Sequence, residues 1–236
     1  MKEIKEIGLV IQDLVGGEAA RIDDYVGLYG ELFPAYSRYM PVMRRRAEKP
    51  LEESTVEKWH QWLLIVRDKP IGIIGFLYNR NRNIGILMDF AIRPEGRKIE
   101  HVEGQKFPLL ILQLAMRQMA DDAFAEGHAS PLFMIAEVEH AALLRKYGEY
   151  GYLEFPVEYF EPSFSPELLQ VSAESTNFDK MDYKRMHLGA FPFPGRTFDA
   201  HSPEIVRIAL LAILVDHYGL PADHWLIQKM RLAIFE

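Results

Sequence analysis

Three apolar segments separated by short polar turns restrict the fold of this chain more than any other feature. The segments are Trp62–Val66, Ile71–Tyr78 and Ile84–Ile92, and the turns between them are Arg67–Pro70 and Asn79–Asn83. Parallel strands need a crossover of about a dozen residues or more, whereas turns this short join antiparallel neighbours. We therefore predict an antiparallel meander of three β-strands.

Behind the meander, helices alternate with strands. A long helix is predicted from about Pro108 to Gly127, because proline suits a first helical turn and glycine suits a helix end. Its apolar stripe consists of Leu109, Leu112, Met116, Met119 and Ala123. The later elements are predicted as the strand Leu132–Val138, the helix His140–Tyr147 and the strands Tyr152–Phe160 and Tyr183–Phe191. A strand, a helix and another strand in this order favour a parallel unit, so we predict a mixed, mainly antiparallel sheet flanked by helices, an α/β fold of the α+β type.

The segments at the two ends complete the element order. Ile7–Val15 is a predicted strand, and the stretch from Glu18 to Ala47 is predicted as two short helices, because Pro34 and Pro41 interrupt its helical pattern.

The tail of the chain differs from the rest. Phe164–Lys180 is polar and irregular, and two helices are predicted after it. Ser202 and Pro203 are a typical start for the first of them, which is predicted to end at Gly219, and the second covers Ala222–Phe235. We predict one domain over residues 1–190 and a helical C-terminal extension over 191–236, packed on the same core.

Composition excludes several classes of function. The 236 residues include no cysteine, which rules out disulfides, thiolate zinc sites and thiol nucleophiles. The net charge of −7 disfavours nucleic-acid binding, which depends on phosphate neutralisation. The longest apolar run, Ile208–Val215, is far shorter than the ~20 residues that a membrane span needs. With no signal peptide recognised and no metal-binding motif, we expect a cytoplasmic protein that binds neither membranes nor metals.

Two local sequences and the element order carry a family resemblance. Ile92–Lys98 reads IRPEGRK and follows the last strand of the meander, while Tyr147–Tyr152 reads YGEYGY at the end of the short helix. Both segments look like parts of the GNAT acyltransferase superfamily, and the element order over residues 5–190 is similar to that family as well. The resemblance implies a transfer of an acetyl group from acetyl-CoA, or of a related acyl group, to the primary amine of a small molecule.

The resemblance places the cofactor beside the central strand and the loop after it. A loop that leads into a helix N-terminus presents backbone N–H groups, which suit a pyrophosphate. Glycines there allow close approach, and basic residues add charge. The cofactor-binding residues expected on this basis are Phe90, Ala91, Ile92, Gly96, Arg97, Lys98, Gly104, Gln105, Lys106 and His140. His101 and Lys106 depart from the family's loop pattern, so a GNAT-fold protein that acts as a non-catalytic binding or assembly module is the alternative.

Candidate catalytic groups follow from the chemistry of thioester aminolysis, which needs a base for the amine and an acid for the thiolate. The resemblance assigns the acid to Tyr147, with Tyr150 as a second choice; packing at a helix end is the structural alternative. Asp89 interrupts an apolar strand, where desolvation would raise its pKa, and it is the candidate base or substrate-binding group. Glu137 and Glu139 are its rivals, and the resemblance leaves open that a water chain takes the place of a single base.

Two further patterns lie ahead of the meander. Arg44–Arg46 is interpreted as a solvated helix end, with contact to an anionic partner or to the cofactor's phosphates as the alternative. Aromatic residues recur at Tyr25, Tyr29, Phe33, Tyr36 and Tyr39. They indicate core packing or, by the resemblance, a wall of the acceptor site. A homodimer contact through the C-terminal helices is a further expectation.

Overall fold

The computed structural model describes residues 2–16, 19–48, 56–102, 104–163 and 182–235. Its helices are α1 (Ile22–Leu32), α2 (Met40–Glu48), α3 (Phe107–Ala125), α4 (Ala141–Gly148), α5 (Pro203–Leu210) and α6 (Trp225–Phe235). Its strands are β1 (Lys2–Ile4), β2 (Leu9–Asp13), β3 (Glu57–Val66), β4 (Lys69–Asn79), β5 (Ile84–Ile92), β6 (His101–Val102), β7 (Gln105–Lys106), β8 (Phe133–Val138), β9 (Leu153–Glu154), β10 (Tyr159–Ser163) and β11 (Asp182–Pro192). The predicted fold class is confirmed, because the main sheet is mixed and mainly antiparallel and is flanked by helices. The irregular segment predicted at Phe164–Lys180 lies outside the described residues.

The chain divides into two compact units. The first unit consists of Met1–Leu77 and Leu87–Gln118, and the second consists of Tyr78–Ile86 and Met119–Glu236. Strands β4 and β5 and helix α3 each have residues in both units. The domain boundary predicted at residue 190 stays a prediction.

In the first unit, the strands follow the order β1-β2-β3-β4-β5. Strand β2 pairs antiparallel with β3, from Leu9 opposite Val66 to Asp13 opposite Trp62. The turn from β3 to β4 is shorter than predicted, because Arg67 and Asp68 alone form it, with φ of 49° and 61°. Two residues with positive φ give a turn whose twist matches that of the flanking strands, and β4 therefore begins at Lys69.

Helices α1 and α2 bury their apolar faces against one side of this sheet. The cluster contains Ile22, Tyr25, Val26, Leu28, Tyr29, Met43 and Ala47 from the helices and Leu63, Ile65 and Ile73 from the strands. Each fully buried aliphatic side chain contributes roughly 1.5–3 kcal/mol through the removal of apolar surface from water. This packing fixes α1 and α2 over β3 and β4, where the candidate site is found.

In the second unit, β8, β11 and β10 follow the start of β5, and β9 pairs with β11. Strand β11 is antiparallel to β8 on one side, from His187 opposite Val138 to Pro192 opposite Phe133, and to β10 and β9 on the other. Helix α3 ends as predicted, because Gly127 has a φ of 77° and the His128 N–H bonds to the Ala123 carbonyl. A left-handed glycine after a helix allows such a closing bond.

The single strand predicted over Tyr152–Phe160 is wrong. The chain instead forms the two separate strands β9 and β10, with a bend between them. Pro156 lies in the bend and has no N–H to give to a ladder, and the Val157 N–H bonds to the Phe155 carbonyl. The proline therefore interrupts the pairing that the aromatic residues around it favour.

The C-terminal helices form close to where the sequence predicts them. Ser202 precedes α5 and Pro203 is its first residue, although the Ser202 side chain makes no capping hydrogen bond. The predicted helix is continuous but not uniform, because Leu211–His217 is π-helical. Gly219 follows with a φ of 74°. None of the described helices is long and apolar enough to cross a membrane.

Candidate active site

Asp89 lies on β5 next to Gly75 of β4, under helix α1. A Cβ atom placed on Gly75 would lie 3.2 Å from Asp89 Oδ2 and 3.3 Å from the Tyr25 hydroxyl oxygen. The carboxylate and the phenol therefore converge on the position where any other residue would carry a side chain. All three residues belong to the first unit.

Tyr29 fixes the carboxylate of Asp89. Its pKa is raised by burial and by the negative charge of Asp89, with which its side chain forms a hydrogen bond. Tyr29 follows Tyr25 by one helical turn, so both hydroxyls of this face of α1 reach the same carboxylate region. At neutral pH, Tyr29 is protonated and donates its hydrogen bond to Asp89.

Tyr25 is the anomalous member of the cluster. Its side chain is 0% exposed, and its hydroxyl oxygen is buried without a hydrogen-bond partner among the described residues. Leaving a buried hydroxyl unsatisfied costs about 1–3 kcal/mol. Burial raises the pKa of Tyr25, as does the charge of Asp89, while the charge of Arg46 acts in the opposite direction. The hydroxyl thus stays protonated and can donate a hydrogen bond to a partner.

Arg46 supplies a cation to the same cluster. Its guanidinium carbon lies 3.3 Å from the centroid of the Trp59 ring, whose indole N–H donates to Glu57 Oε2 at 3.1 Å. Desolvation lowers the pKa of Arg46 to about 10, although Glu57, Asp89 and the two tyrosines favour the charged form. The guanidinium is therefore enclosed but still charged at neutral pH.

The interpretation of Arg44–Arg46 as a solvated helix end is wrong for Arg46. Arg45 is exposed, and Arg44 makes an ion pair with Asp23 at 2.5 Å, as that interpretation requires. Arg46 instead turns toward Trp59 on the covered face of the sheet. Three consecutive helical residues point in different directions, so a basic run does not share one environment.

The expected cofactor segment begins one residue after Asp89. Phe90 and Ala91 are half-buried and Ile92 is buried. Gly96 lies in a short 3₁₀ turn, and a Cβ there would come within 2.6 Å of Ile92 Cγ2 and 3.2 Å of Ile71 Cβ. Gly96 is therefore required by local packing, a reason that the sequence did not indicate.

The expected pyrophosphate loop contains a small hairpin. Strands β6 and β7 pair His101 with Lys106 and Val102 with Gln105, and Gly104 in their turn has a φ of 77°. The first N–H of α3, that of Phe107, bonds to the Glu100 carbonyl at 3.0 Å. The start of the helix is thus less open than the family pattern implies.

The basic residues of this loop differ in how firmly their side chains are held. Arg97 donates from Nε to the Ile92 carbonyl at 2.7 Å, so its guanidinium is held near the end of β5. Lys98 and Lys106 are exposed, and Gln105 is half-buried. A Cβ on Gly104 would meet no atom within 4 Å, so the turn of the hairpin has open space beside it. These features fit phosphate oxygens on the outer side of the hairpin.

The second unit contains the remaining predicted residues. Tyr147 is 6% exposed and packs its ring at 5.2 Å from Phe191 and 6.0 Å from Tyr152. Burial raises its pKa. Tyr150 is half-buried, while His140 is exposed at the start of α4, where its side chain makes no capping bond. The environment of Tyr147 agrees with packing and also keeps its phenol protonated.

The rival carboxylates belong to two different environments. Glu139 forms an ion pair with Lys184 at 2.6 Å. Glu137 accepts a hydrogen bond from the Tyr159 hydroxyl and another from the Tyr218 hydroxyl at 2.9 Å. Tyr218 also reaches Glu161 Oε1 at 3.4 Å. Burial raises the pKa values of Tyr159 and Tyr218, and the charge of Glu137 adds to the effect, so both donate to the carboxylate.

Sequence reasoning missed the partners of these carboxylates. Asp89 is identified because it interrupts an apolar strand, and Tyr25 belongs to the aromatic band expected in the core or at the acceptor site, but no local pattern pairs either Tyr25 or Arg46 with Asp89. Tyr25 and Arg46 precede Asp89 by about 60 and 40 residues, and a single sequence carries no signal of contacts at that separation. The described residues contain no group of three or more histidines, aspartates and glutamates that could hold a metal ion.

Comparison with known proteins finds similarity in structure but not in sequence. No family model and no curated protein matches the chain. A putative GNAT-family acetyltransferase from Bacteroides thetaiotaomicron is 15% identical, with a TM-score of 0.48 over 90% of this chain and 99% of that one. A Bacillus subtilis acetyltransferase in complex with CoA is 12% identical, with a TM-score of 0.46 over 79% of this chain and 99% of that one.

A further solved structure, the ribosomal-protein-S18-alanine N-acetyltransferase from Escherichia coli, is 10% identical, with a TM-score of 0.44 over 81% of this chain and 99% of that one. The resemblance to GNAT acetyltransferases that the sequence indicates is thus found again among solved structures. All three TM-scores are below 0.5, so the likeness does not extend to activity, which has to be inferred from the residues of this chain.

Proposed function

We propose that this chain is an acyl-CoA-dependent N-acyltransferase that transfers an acetyl group from acetyl-CoA to the primary amine of a small molecule. One observation carries the proposal. Asp89, a carboxylate held by Tyr29, directly precedes Phe90–Ile92, the segment expected to contact the cofactor. A base and the segment expected to bind the thioester are thereby consecutive residues of one rigid strand, which favours precise positioning of the reacting groups.

The roles of the residues follow from the balance of the reaction. The amine nitrogen forms a bond to the acyl carbon while the bond from that carbon to sulfur breaks. Asp89 accepts the proton that the amine loses, directly or through water, and Tyr29 keeps the carboxylate oriented. The departing thiolate takes a proton from a phenol, a role assigned here to Tyr147, with Tyr150 as the second candidate. The raised pKa of Tyr147 is consistent with a group that is protonated before the reaction.

Cofactor binding is assigned to the strand end and the hairpin after it. Backbone groups of Phe90, Ala91 and Ile92 would bind the pantetheine arm, in the way that a strand binds an extended peptide through its main chain. Lys98 and Lys106 would contact the phosphates beside the turn at Gly104, and Arg97 would shape the loop through its bond to Ile92. The same proposal includes Gly96, Gln105 and, in the second unit, His140. Acetyl-CoA is a cosubstrate here, and no metal is needed for the roles above.

Calorimetric titration of acetyl-CoA, with a thiol-release assay alongside, tests this assignment. The chain has no cysteine, so any thiol that appears comes from CoA. Lys98→Gln should weaken acetyl-CoA binding by about 3- to 10-fold, since one exposed charge contact with a phosphate contributes of the order of 1 kcal/mol. Lys69→Gln is the matched control, because Lys69 is an exposed lysine of the same unit outside the loop. Equal effects of the two variants would contradict the assignment of the phosphate site.

The role of Tyr147 has its own test. As a general acid, Tyr147→Phe should lower kcat about 10²- to 10⁴-fold with little change in acetyl-CoA affinity. As a packing residue, the same variant should keep kcat and change only thermal stability. Tyr150→Phe is the matched comparison, and a large loss of kcat in that variant alone would move the acid role to Tyr150.

A second candidate function is favoured by the closed hairpin at the loop. With the Phe107 N–H already bonded to Glu100, the chain has fewer free donors for a pyrophosphate, as a non-catalytic binding or assembly module would allow. Trp225, which is 50% exposed on α6, then belongs to an interaction surface. No heat and no thermal shift at millimolar acetyl-CoA would favour this candidate over the enzyme.

Two finer expectations belong to the same proposal. A cytoplasmic location is consistent with a chain that has no cysteine and therefore no need of an oxidising compartment. A homodimer contact through the C-terminal helices stays a prediction, which analytical ultracentrifugation can test.

A further inference from the structure

Two groups beside Asp89 have no task in the reaction proposed above. They are the hydroxyl of Tyr25 and the guanidinium of Arg46, and both belong to the first unit. Tyr25 and Asp89 meet over Gly75, and the charge of Arg46 opposes the rise in the pKa of Tyr25, which places the three side chains in one cluster under α1 and α2. An acceptor whose only polar group is an amine would bind the Asp89 carboxylate and would have no atom for the Tyr25 hydroxyl or the Arg46 guanidinium to bind.

The hydroxyl of Tyr25 is not required by the fold. Its oxygen is buried and has no partner in the described ranges of the chain, so a phenylalanine would fill the same space without an unsatisfied group. The hydroxyl oxygen and Asp89 Oδ2 lie 3.3 Å and 3.2 Å from the position that a Cβ atom on Gly75 would take, so both converge on one point over this glycine. A donor with no partner that points beside a substrate-binding carboxylate is suited to a ligand acceptor atom.

Stacking on an aromatic ring orients the guanidinium of Arg46. Its face rests on the Trp59 ring, at 3.3 Å from the ring centroid. No hydrogen bond from this guanidinium is found in the part of the chain that the structure describes; Glu57 and Asp89 act on it through their charge. A planar cation that is fixed by stacking keeps its edge for bidentate recognition of a carboxylate.

We propose that this site selects acceptors that carry a carboxylate as well as a primary amine, with the ammonium or amine at Asp89 and the carboxylate at Arg46 and the Tyr25 hydroxyl. The inference rests on the proposed function, because it names the substrate class of the same site. An amino acid-like zwitterion complements the charges of the site, because its ammonium group faces the Asp89 carboxylate and its carboxylate faces the Arg46 guanidinium. Tyr25 and Arg46 are then substrate-binding residues, and neither takes part in the proton transfers.

The experiment compares acceptors that differ only in the carboxylate. The pairs are L-leucine with isopentylamine, L-phenylalanine with phenethylamine, and γ-aminobutyrate with propylamine, each measured by thiol release from acetyl-CoA. In at least one pair, the carboxylated member should have a kcat/KM at least about tenfold higher, because a buried donor set discriminates against a ligand that leaves it unpaired. Amines that equal or exceed their carboxylated partners in all three pairs would overturn the inference.

Variants connect the preference to the two residues. Arg46→Gln should abolish the preference, Arg46→Lys should restore part of it, and Arg45→Gln is the matched control, because Arg45 is the exposed neighbour on the same helix. Tyr25→Phe should raise KM for the carboxylated acceptor about tenfold more than it raises KM for the matching plain amine. If Arg46→Gln fails to fold, Tyr25→Phe and Arg46→Lys decide the matter.

A binding measurement separates this inference from the proposed function. Calorimetry with the preferred amino acid, without acetyl-CoA, should show binding that Arg46→Gln weakens by at least about tenfold. Such binding without any thiol release would retain the carboxylate site and remove the enzymatic assignment. Thiol release with a preference that Arg46→Gln and Tyr25→Phe leave intact would do the opposite, because the enzyme would stand and this inference would fail.

Discussion

Each unit of the chain contains a pair of buried tyrosines that face acidic side chains, but the two clusters are completed to different degrees. In the second unit, Tyr159 and Tyr218 both donate to Glu137, and Tyr218 reaches Glu161 as well. In the first unit, Tyr29 bonds to Asp89, whereas the hydroxyl of Tyr25 has no hydrogen-bond partner in the part of the chain that the structure describes. The second cluster gives both of its phenols an acceptor inside the protein, and the first does not.

The difference supports the proposal that the second cluster is structural and that the first binds a ligand. Phenols that donate to a carboxylate inside the protein compensate for the loss of their hydrogen bonds to water on burial. A buried phenol without a partner lacks this compensation and costs stability, so its presence needs a reason such as contact with a ligand. The first cluster also has the cation Arg46, and with it both signs of charge, which suits a ligand with two charged ends.

The largest expected effect is on turnover, from Asp89→Asn. The amide cannot accept the amine proton, so kcat should fall about 10²- to 10⁴-fold. Acetyl-CoA affinity should be retained, because the backbone of Phe90–Ile92 is unchanged. Steady-state kinetics and calorimetry check the two parts, and near-normal kcat in a folded Asp89→Asn protein would remove Asp89 from the mechanism.

The second largest effect is expected on the stability of the folded chain, from a substitution in the second unit. Tyr218→Phe removes a buried donor to an ionised carboxylate, so the free energy of unfolding should fall by about 1.5–3 kcal/mol. Chemical denaturation measures the change. Tyr183→Phe, a half-buried tyrosine that faces His224 at 3.4 Å, is a control that should cost less. An undiminished stability of Tyr218→Phe would show that the second cluster is not structural.

Glu137→Gln compares the two clusters directly, because Glu137 is a rival of Asp89 for the role of base. We expect a loss of about 1–2 kcal/mol in stability, or a fall in Tm of roughly 2–8 °C, since an amide is a weaker acceptor. Activity per folded molecule should stay near that of the parent. A loss of kcat as large as that of Asp89→Asn would reverse the two assignments.

The smallest effect is expected from Tyr25→Phe, and it should have the opposite sign. Removal of the unsatisfied hydroxyl should leave the free energy of unfolding unchanged or raise it by up to about 1 kcal/mol. Thermal and chemical denaturation, side by side with Tyr218→Phe, measure the contrast. A destabilisation as large as that of Tyr218→Phe would mean that the Tyr25 hydroxyl has a structural partner after all.

Local patterns predicted the elements of this fold well. The turns and apolar runs around β3, β4 and β5 are short-range features, and β5 begins and ends where the sequence indicates. Pro156 is visible in the sequence, but the aromatic residues around it favour a strand, and this pattern does not show that the proline divides the strand in two. The hairpin of β6 and β7 and the π-helical segment Leu211–His217 depend on tertiary context, which a pattern of a few residues does not contain.

The candidate site was predictable only in part, for a related reason. Asp89 contradicts the hydrophobic pattern of its own strand, so a local reading finds it. Tyr25 fits the helical pattern of a core residue, and its hydroxyl gives no sign in the sequence of whether it will be satisfied. Arg46 lies in a basic run that is typical of a surface. Its position on Trp59 follows from the packing of α2 on the sheet, not from its neighbours in sequence.

Gly75 has a consequence for how readily this site can change during evolution. Its backbone φ lies outside the left-handed range, so alanine is tolerated by the main chain, and only the contacts with Asp89 Oδ2 and the Tyr25 hydroxyl oppose a methyl group. Glycine and alanine codons differ by one base. A lineage can therefore narrow or abandon the proposed selectivity of this site in a single mutational step, without giving up the scaffold.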